Sequence, residues 1–537
     1  MRNTKTRSRI ALVALSLAAA FQGSPGCFGQ ATTPQGATNV SLLESIRSAV
    51  ENHPLLRSQQ AQVEISLGAR EQVSAQFDRF LQSSFNNGLE TTPLTAGQQL
   101  ANEQAGLLGT SQKVHVASLG ITINRLFRNG IEFSAGTQTG RTVDNLFAAS
   151  GINTSSTTLN LRIPLLRGRG RTATGGQEQA AKQEVDATLL DLQQLVSQLT
   201  SNAATSYWNL VAARASLTIA IDAEQRGKVY LDNVRQLVKA DRVPRNDLNE
   251  VTANLAQRSS GRQVAEQQLL AARQQLALDM GISADDILGQ ALVPADPFPS
   301  GEGQPLPSDS RAAIHYYVEQ ALRNRADYQA SRIRTKEQGV LLRAAQNRLL
   351  PQLDLNTSAG YAGLQEGLAV GHFYADTVQG VRGPTAAIGL TYSFQHRNQA
   401  AHGAMLQTQG LSRQAQVQNI ELERAISSEV VVSVGAVRSA IVRLKQADEA
   451  VNAFQVALQG ERDKYSGGIG SIIEILTVED KLNSALAEQV QAQLNYALAL
   501  VQFRFATGTL AKGGASAQSV TAETFFTLPF LKSPEEN

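Results

Sequence analysis

Residues 313–360 read AIHYYVEQALRNRADYQASRIRTKEQGVLLRAAQNRLLPQLDLNTSAG. The stretch begins with the periodicity of a helix and passes at Pro351 into the alternation of a strand. The same order occurs once before. A shift of 272 residues places Ile46 on Val318, and there too a helix, ending near residue 75, leads into a strand. The sequence therefore predicts two copies of one structural unit.

The composition favours an elongated protein. Aromatic residues make up only 5% of the 537 residues, the 15 prolines are confined to a few places, and Gln and Ala fill long tracts. These features are typical of extended helices rather than of layered α/β cores. We therefore expect a mainly α fold with a small β part.

The N-terminus has the three-part layout of a secretory signal. Four basic residues precede the apolar run Ile10–Phe21, and small residues follow it. The run is too short to span a membrane. Removal of residues 1–29 takes away no acidic residue and leaves a mature charge balance of −2, so nucleic-acid binding has no electrostatic support.

Cys27 is the only cysteine, so neither an intrachain disulfide nor a thiolate metal cluster can form. Two interpretations stay open: Cys27 is a lipid-modified first residue, or the signal is cleaved just after it. The preceding Ser24-Pro25-Gly26 fits a lipoprotein signal poorly. The six histidines are scattered, and we predict no enzyme activity, no cofactor and no metal site.

The first predicted copy covers residues 40–281. Its elements are a helix to about residue 76, strands 79–90 and 155–165, a long helix 172–239, a turn 240–246 and a returning helix 247–280. An additional hairpin, 113–140, turns at Arg128-Asn129-Gly130 between the two strands. Apolar residues at alternating steps of three and four along the long helix predict a coiled-coil seam.

The second predicted copy covers residues 312–508 and repeats this order. It has a helix, strands 351–362 and 385–395, a long helix 399–464, a turn 465–471 and a returning helix 472–507. A linker rich in Pro and Gly, 282–311, joins the copies, and a tail, 509–537, follows. The hairpin 113–140 accounts for most of the extra length of the first copy.

The strands suggest a membrane barrel without proving one. Each copy offers two strands of about ten residues, enough to cross a bilayer when tilted. We expect no helix long and apolar enough to span, and such a chain can cross a membrane only as a closed barrel. Four strands cannot close a barrel alone, so several chains are required. The strand faces are small and mixed, and a soluble sheet is the alternative.

Several motifs together resemble the TolC-type outer-membrane efflux proteins. They are the helix leading into LPQLDL, the turn from Tyr465 to Leu476, its counterpart from Asp241 to Leu248, and the duplication, which together cover residues 40–280 and 312–510. The resemblance implies a homotrimer in which four strands per chain form one twelve-stranded barrel in the outer membrane, continued by an α-helical tunnel across the periplasm.

The resemblance also implies a function. Such proteins are passive exit ducts that receive substrates from an inner-membrane pump and a periplasmic adaptor, in efflux or type I secretion. The implied partners are thus two further copies, adaptor, pump and outer-membrane lipid. A periplasmic or surface coiled-coil interaction protein is the alternative. The hairpin 113–140 is expected outside the cell and dispensable for closure.

The two turns are implied to form the periplasmic tip, where the tunnel closes. The implied gate residues are Asn246, Asp247, Tyr465 and Glu474. The implied turn residues are Arg242, Arg245, Gly467, Gly468 and Gly470. Three Glu474 carboxylates around one axis would favour cation binding. Alternatively, Asp247 and Glu474 cap their helices. Members of the family can carry a latch arginine where Gly470 stands, and Arg242 and Arg245 could substitute for it.

Overall fold

The computed structural model describes residues 38–283, 292–301, 306–369, 381–510 and 522–528. The expected signal peptide, 1–29, and Cys27 lie outside these ranges, as do parts of the linker and most of the tail. The helices of the described residues are α1 Leu42–Asn52, α2 Pro54–Ser74, α3 Ala96–Gln104, α4 Arg171–Thr174, α5 Gly176–Lys239, α6 Arg245–Asp279, α7 Arg311–Asn324, α8 Ala326–Asn347, α9 Gln399–Ser466 and α10 Ile472–Ala506.

The strands of the described residues form two sheets. They are β1 Thr38–Val40, β2 Phe80–Pro93, β3 Ser111–Leu126, β4 Glu132–Asp144, β5 Ala148–Pro164, β6 Leu292–Pro294, β7 Gln352–Glu366 and β8 Val381–Ser393. Strands β1 and β6 pair in parallel, and the others form one antiparallel sheet in the order β2–β3–β4–β5–β7–β8. The expectation of a mainly α fold with a small β part is confirmed.

The number of strands in the large sheet corrects the sequence-based expectation from four to six. The hairpin predicted at 113–140 provides β3 and β4, which are inserted between β2 and β5. The described sheet therefore has two strands more than each chain would contribute to a twelve-stranded ring. Periodicity identified the inserted segments as strands, but it carries no information on which strands become neighbours.

The turn of the inserted hairpin lies at the helical end of the sheet. The Gly170 N–H, at the start of α4, donates to the Asn129 carbonyl oxygen over 2.9 Å. Arg128 pairs with Glu178 of α5 at 2.5 Å. The turn of this hairpin thus lies beside the helices and not at the far end of the sheet, and the exposure of residues 113–140 outside the cell stays a prediction. Because β2 runs away from the helices, β3 must return toward them before the chain can turn.

One face of the large sheet carries most of its large apolar side chains, although polar residues such as Thr137, Thr139 and Arg141 also lie on it. The cross-strand register places on it Leu81, Phe85, Ile121, Ile123, Phe133, Leu159, Leu161, Leu355, Ile388 and Leu390. Polar residues occupy the opposite face, among them Gln82, Ser84, Thr122, Gln138, Asn160, Ser358 and Thr385. The polar face is concave, because residues from all six strands line one hollow of about 1010 Å³ on that side. The register thus places most of the large apolar side chains on one face of the sheet, which the alternation within single strands did not show.

The linker contributes to the helical core where it is described. Trp208 of α5 is fully buried and stacks on the linker residue Phe298, with ring centroids 5.8 Å apart. Phe526 approaches the same indole edge-on at 5.9 Å. The linker carboxylate of Asp296 accepts a hydrogen bond from the Tyr207 hydroxyl over 2.9 Å. Residues 292–298 are therefore a packed strap across α5 rather than only a spacer.

One helix corrects the expectation that none could span a membrane. By length and composition α9 passes that test, since it contains an 18-residue window with a mean hydropathy of 1.6. Only 33% of this window is buried. Buried residues such as Val430, Val434 and Val437 form the seam against neighbouring helices, while Val432 is 67% exposed. Apolar residues thus occur on more than one side of α9, which raises its hydropathy.

A polar cluster joins the first and second copies near the sheet. Arg334 of α8 contacts two carboxylates of α5: its Nε donates to Glu184 over 3.1 Å and its Nη2 to Asp191 over 2.5 Å. Burial, and then the charge of Glu184, raise the pKa of Glu337 from 4.5 to about 7. The folded chain therefore holds a proton on Glu337 more tightly than the unfolded chain does.

We expect replacement of Glu337 by Gln to change how stability depends on pH. A raised folded-state pKa contributes stability that is fully present below pH 4.5 and is lost as the pH rises through about 7. The wild-type protein should therefore lose stability relative to Glu337→Gln between these values, and the variant should be the more stable above pH 7. Thermal unfolding followed by circular dichroism across this range checks the sign, and a constant difference would contradict it.

Candidate functional site at the tip of the helical hairpins

Two short turns meet at the end of the helices far from the sheet. The turn between α5 and α6 contains Asp241 in the left-handed conformation, with φ of 55°. The turn between α9 and α10 contains Gly468 at φ of 77°, a value that favours glycine. Leu248, after the first turn, and Tyr465, before the second, pack against one apolar cluster that also contains Ile472. The two turns are therefore neighbours.

Glu474 completes the N-terminal cap of α10. Its Oε2 accepts a hydrogen bond from the Ser471 N–H over 3.0 Å, and the Ser471 hydroxyl oxygen accepts one from the Ile473 N–H over 3.2 Å. This reciprocal arrangement is a capping box. The Lys464 ammonium donates to Glu461 over 2.7 Å, and this bond and, more weakly, the charge of Glu474 raise the pKa of Lys464.

The other expected gate and turn residues lie at this same end. Asn246 is exposed and Asp247 is half-buried in the first turn of α6, where an acidic side chain favours the helix dipole. Arg242 and Arg245 are both exposed. The second turn exposes Ile469 by 87%, beside Gly467, Gly468 and Gly470. The alternative in which Glu474 caps its helix is thus realised, while its role as a gate stays a proposal.

A buried charge network lies between the two hairpins just above the turns. Glu479 of α10 is fully buried and accepts a hydrogen bond through its Oε2 from Arg258 Nη1 over 3.1 Å. Arg226 Nε lies 2.6 Å from Oε1, as an ion pair without a well-directed hydrogen bond. Arg462 Nη2 is 4.0 Å from the same oxygen. Since these arginines belong to α5, α6 and α9, Glu479 ties all four helices together.

Neighbouring groups satisfy part of the network. The second arm of Arg258 reaches the half-exposed Asp480 over 2.9 Å, and its Nη1 also donates to the Ala223 carbonyl oxygen over 3.0 Å. Arg226 Nη2 donates to Asn483 over 2.7 Å. Because removing one partner leaves the other charge buried, such a pair is costly to break even where its net contribution to stability is small.

The spacing of apolar residues around Glu479 is a sequence signal that marks this position. Ile472, Ile475, Glu479, Leu482 and Leu486 alternate steps of three and four along α10, so Glu479 occupies a position of the apolar seam. Arg258 interrupts the matching seam of α6, between Leu255 and Ala265. A charge at a seam position reduces stability but fixes which helices pair and in which register.

Comparison with known proteins identifies the fold. No protein-family model matches the chain. Escherichia coli (strain K12) outer membrane protein TolC is 28% identical over 181 residues, which cover 32% of this chain and 35% of TolC. The matched part thus spans about a third of that relative.

Solved structures match over much more of the chain. The outer-membrane channel OprN superposes with a TM-score of 0.61 and 15% identity, covering 88% of this chain and 90% of its own. The Campylobacter jejuni CmeC outer membrane channel gives 0.59 and 15%, covering 91% and 89%. The Vibrio cholerae outer membrane protein VceC gives 0.60 and 15%, covering 87% and 96%.

This chain has the TolC-type fold. The resemblance inferred from the motifs is confirmed, and the expectation that the chain is not an enzyme agrees with these neighbours, which are named as channels or outer membrane proteins. In the TolC-type fold of this chain, the tip with its turns and the Glu479 network lies at one end and the large sheet at the other. Whatever passes through such a molecule must pass both ends.

We expect Glu479→Gln to loosen the two hairpins at the tip. The variant leaves Arg226 and Arg258 without a buried counter-charge, and loss of one partner of a buried pair typically costs about 3–5 kcal/mol. Amide hydrogen exchange should therefore rise in the first half of α10 and stay unchanged in α1.

The matched control is Asp232→Asn. It breaks an ion pair between Asp232 and Arg235 on the surface of α5, where both side chains are more than half exposed. An exposed pair contributes about 1 kcal/mol or less, so this variant should exchange like the wild type. Equal exchange in both variants would show that Glu479 does not hold the hairpins together.

Proposed function

We propose that the protein is a trimeric channel-tunnel of the outer membrane, a passive exit duct for substrates that an inner-membrane pump and a periplasmic adaptor deliver. The observation that carries the proposal is the large sheet, with its apolar convex face and its polar concave face. A sheet of this kind suits a barrel wall that has lipid outside and water inside. The TolC-type fold supports the same conclusion.

The strand lengths suit a membrane-crossing wall. The six strands are 13 to 17 residues long, and a tilted transmembrane strand needs about 9–11. Large apolar side chains on the convex face are exposed to a degree unusual for a protein in water, as with Phe85 at 69% and Ile388 at 75%. Hydrocarbon is the environment that suits them.

The unpaired edges of the sheet support assembly from several copies. Strands β2 and β8 each have one neighbour in the described sheet, so each presents a row of unpaired backbone groups. Inside a bilayer these groups must be satisfied, and β2 of one chain pairing with β8 of the next satisfies both. The exposed apolar residues of α9, such as Val432, offer further contact to a neighbouring copy.

The protein purified from outer membranes in detergent should therefore be a trimer, and after reconstitution into a planar bilayer it should conduct ions. Light scattering with correction for bound detergent measures the mass, and single-channel recording measures the conductance. A full-length monomer, or a trimer that never conducts, would contradict the proposal. The first result would favour the coiled-coil interaction protein considered above.

We further propose that Glu474, Asp247, Asn246 and Tyr465 line the narrow end of the tunnel. Three Glu474 carboxylates would then surround one axis. At separations of several ångströms and an effective dielectric of about 20, each pair interacts by on the order of 2 kcal/mol. A divalent cation bound between them relieves this repulsion.

The capping box allows the charge of Glu474 to be separated from its role as a cap. Gln also completes a capping box, so Glu474→Gln should keep the stability of the protein while weakening cation selectivity and relieving block by divalent cations. Glu474→Ala should have the same electrical effect and also lose about 1 kcal/mol through the broken cap. Bilayer recordings and thermal unfolding measure the two effects. If Glu474→Gln changes neither selectivity nor block, Glu474 acts only as a helix cap, and Asp247 becomes the next candidate for the gate.

A further inference from the structure

We infer that three copies of this chain close an eighteen-stranded barrel, with the inserted hairpin β3–β4 as part of its wall. The inference rests on the proposed trimer and adds the size of the exit that the trimer builds. Each chain brings six hydrogen-bonded strands with two open edges, and three such sheets joined edge to edge contain eighteen strands.

Continuous pairing fixes the hairpin within the sheet. Strand β3 pairs with β2 from Asn124↔Phe80 to Ser111↔Pro93, the whole length of β2. On its other side β3 pairs with β4 along thirteen residue positions, and β4 continues into β5. Moving the hairpin out of the wall would break the ladders on both of its sides.

The two faces of the sheet continue across the hairpin. Phe133 lies on the convex face opposite Leu161 of β5, and Ile123 lies in the same row as Leu159. Ile121 lies on this face too, between Ser83 and Thr137. Thr122 and Gln138 lie on the concave face, in register with neighbours that are also polar or glycine. A surface arm surrounded by water has no reason to keep this alternation in phase with the wall, whereas a strand between lipid and lumen requires it.

The concave face is also shaped for curvature. Seven strand glycines lie on it: Gly88, Gly120, Gly136, Gly140, Gly360, Gly383 and Gly389. A Cβ added to Gly136 would lie 3.0 Å from Thr122 Oγ1, and one added to Gly360 would lie 2.6 Å from Thr385 Oγ1. Glycine therefore relieves crowding at these two positions, one in an inserted strand and one in β7, whereas Gly88, Gly383 and Gly389 have open space beside them.

The turn between β3 and β4 is not followed by a helix, and contacts with neighbouring elements hold it in place. The Arg128 guanidinium donates twice to Glu178 of α5, over 2.6 and 2.5 Å, and lies 4.9 Å from the Phe77 ring centroid. Gly130, at φ of 93°, would place a Cβ only 2.1 Å from the Gly168 carbonyl oxygen. The turn is thus seated against the connection between β5 and α5.

The consequence is a wider exit than twelve strands allow. With strands about 4.8 Å apart and a tilt of about 40°, the backbone diameter is roughly 24 Å for twelve strands and roughly 36 Å for eighteen. Side chains narrow both barrels by the same width, so the lumen at the outer membrane is wider by at least half, and selection by size falls to the helical end.

Neighbouring cysteines on β3 test the position of the hairpin in the wall. Ile121→Cys and Thr122→Cys, each in a Cys27→Ala background, are labelled with a polarity-sensitive fluorophore in reconstituted trimers. We expect the label at Ile121 to be quenched by spin-labelled lipid and the label at Thr122 by aqueous iodide. Quenching of both labels by iodide alone would place the hairpin outside the wall and overturn the inference.

Deletion of residues 111–147 provides the matched control. It leaves β2 running away from the helices and β5 returning, which is the antiparallel order needed for direct pairing. Polymer exclusion from the outer side should then show a size cut-off lower by at least about one third, and an unchanged cut-off overturns the inference. If the deletion variant does not assemble, the labelled Ile121→Cys and Thr122→Cys variants still test whether the hairpin lies in the wall. A wild-type monomer in detergent would instead contradict the proposed trimer.

Discussion

The open edges of the large sheet are the constraint on which the other features depend. Backbone N–H and C=O groups that face hydrocarbon without partners are too costly to persist, and β2 and β8 each offer a full row of them. An exposed edge in water would instead invite aggregation. In the proposed trimer a closed ring of identical sheets removes both problems, and the number of strands per chain would then set the size of the pore. The helices must then fit a circumference that the sheet determines.

The sequence predicts local structure well in this chain and spatial neighbours poorly. The long helices, the six strands of the large sheet and even the turn at Arg128-Asn129-Gly130 could be read from periodicity and turn chemistry, whereas α3, β1 and β6 were not predicted. The place of β3 and β4 could not be read, because hydrogen-bonded partners are set by the direction in which each strand leaves its turn. The resemblance to four-stranded relatives then favoured an external loop, although the direction of β2 already required β3 to return toward the helices.

The tip shows a different limit of sequence reasoning. Glu474 was recognised by its place after a glycine-rich turn, and the structure gives it the capping contact that its spacing to Ser471 allows. Glu479, only five residues on, has no motif around it. Its importance comes from burial against Arg226 and Arg258, which belong to the other copy of the unit. Contacts between copies depend on how two hairpins are aligned, and no single-helix pattern contains that alignment.

Six strands and two helical hairpins in one chain create a mismatch that the junction must absorb. In the first copy, β2 follows α2 and β5 leads into α5, so β3 and β4 alone end in a turn instead of a helix. That turn carries the cation at Arg128, paired with Glu178 and resting on Phe77. Arg128 is about half-exposed, so these contacts serve mainly to hold the turn in one position. They explain how two strands can be added to the sheet without adding helices beneath it.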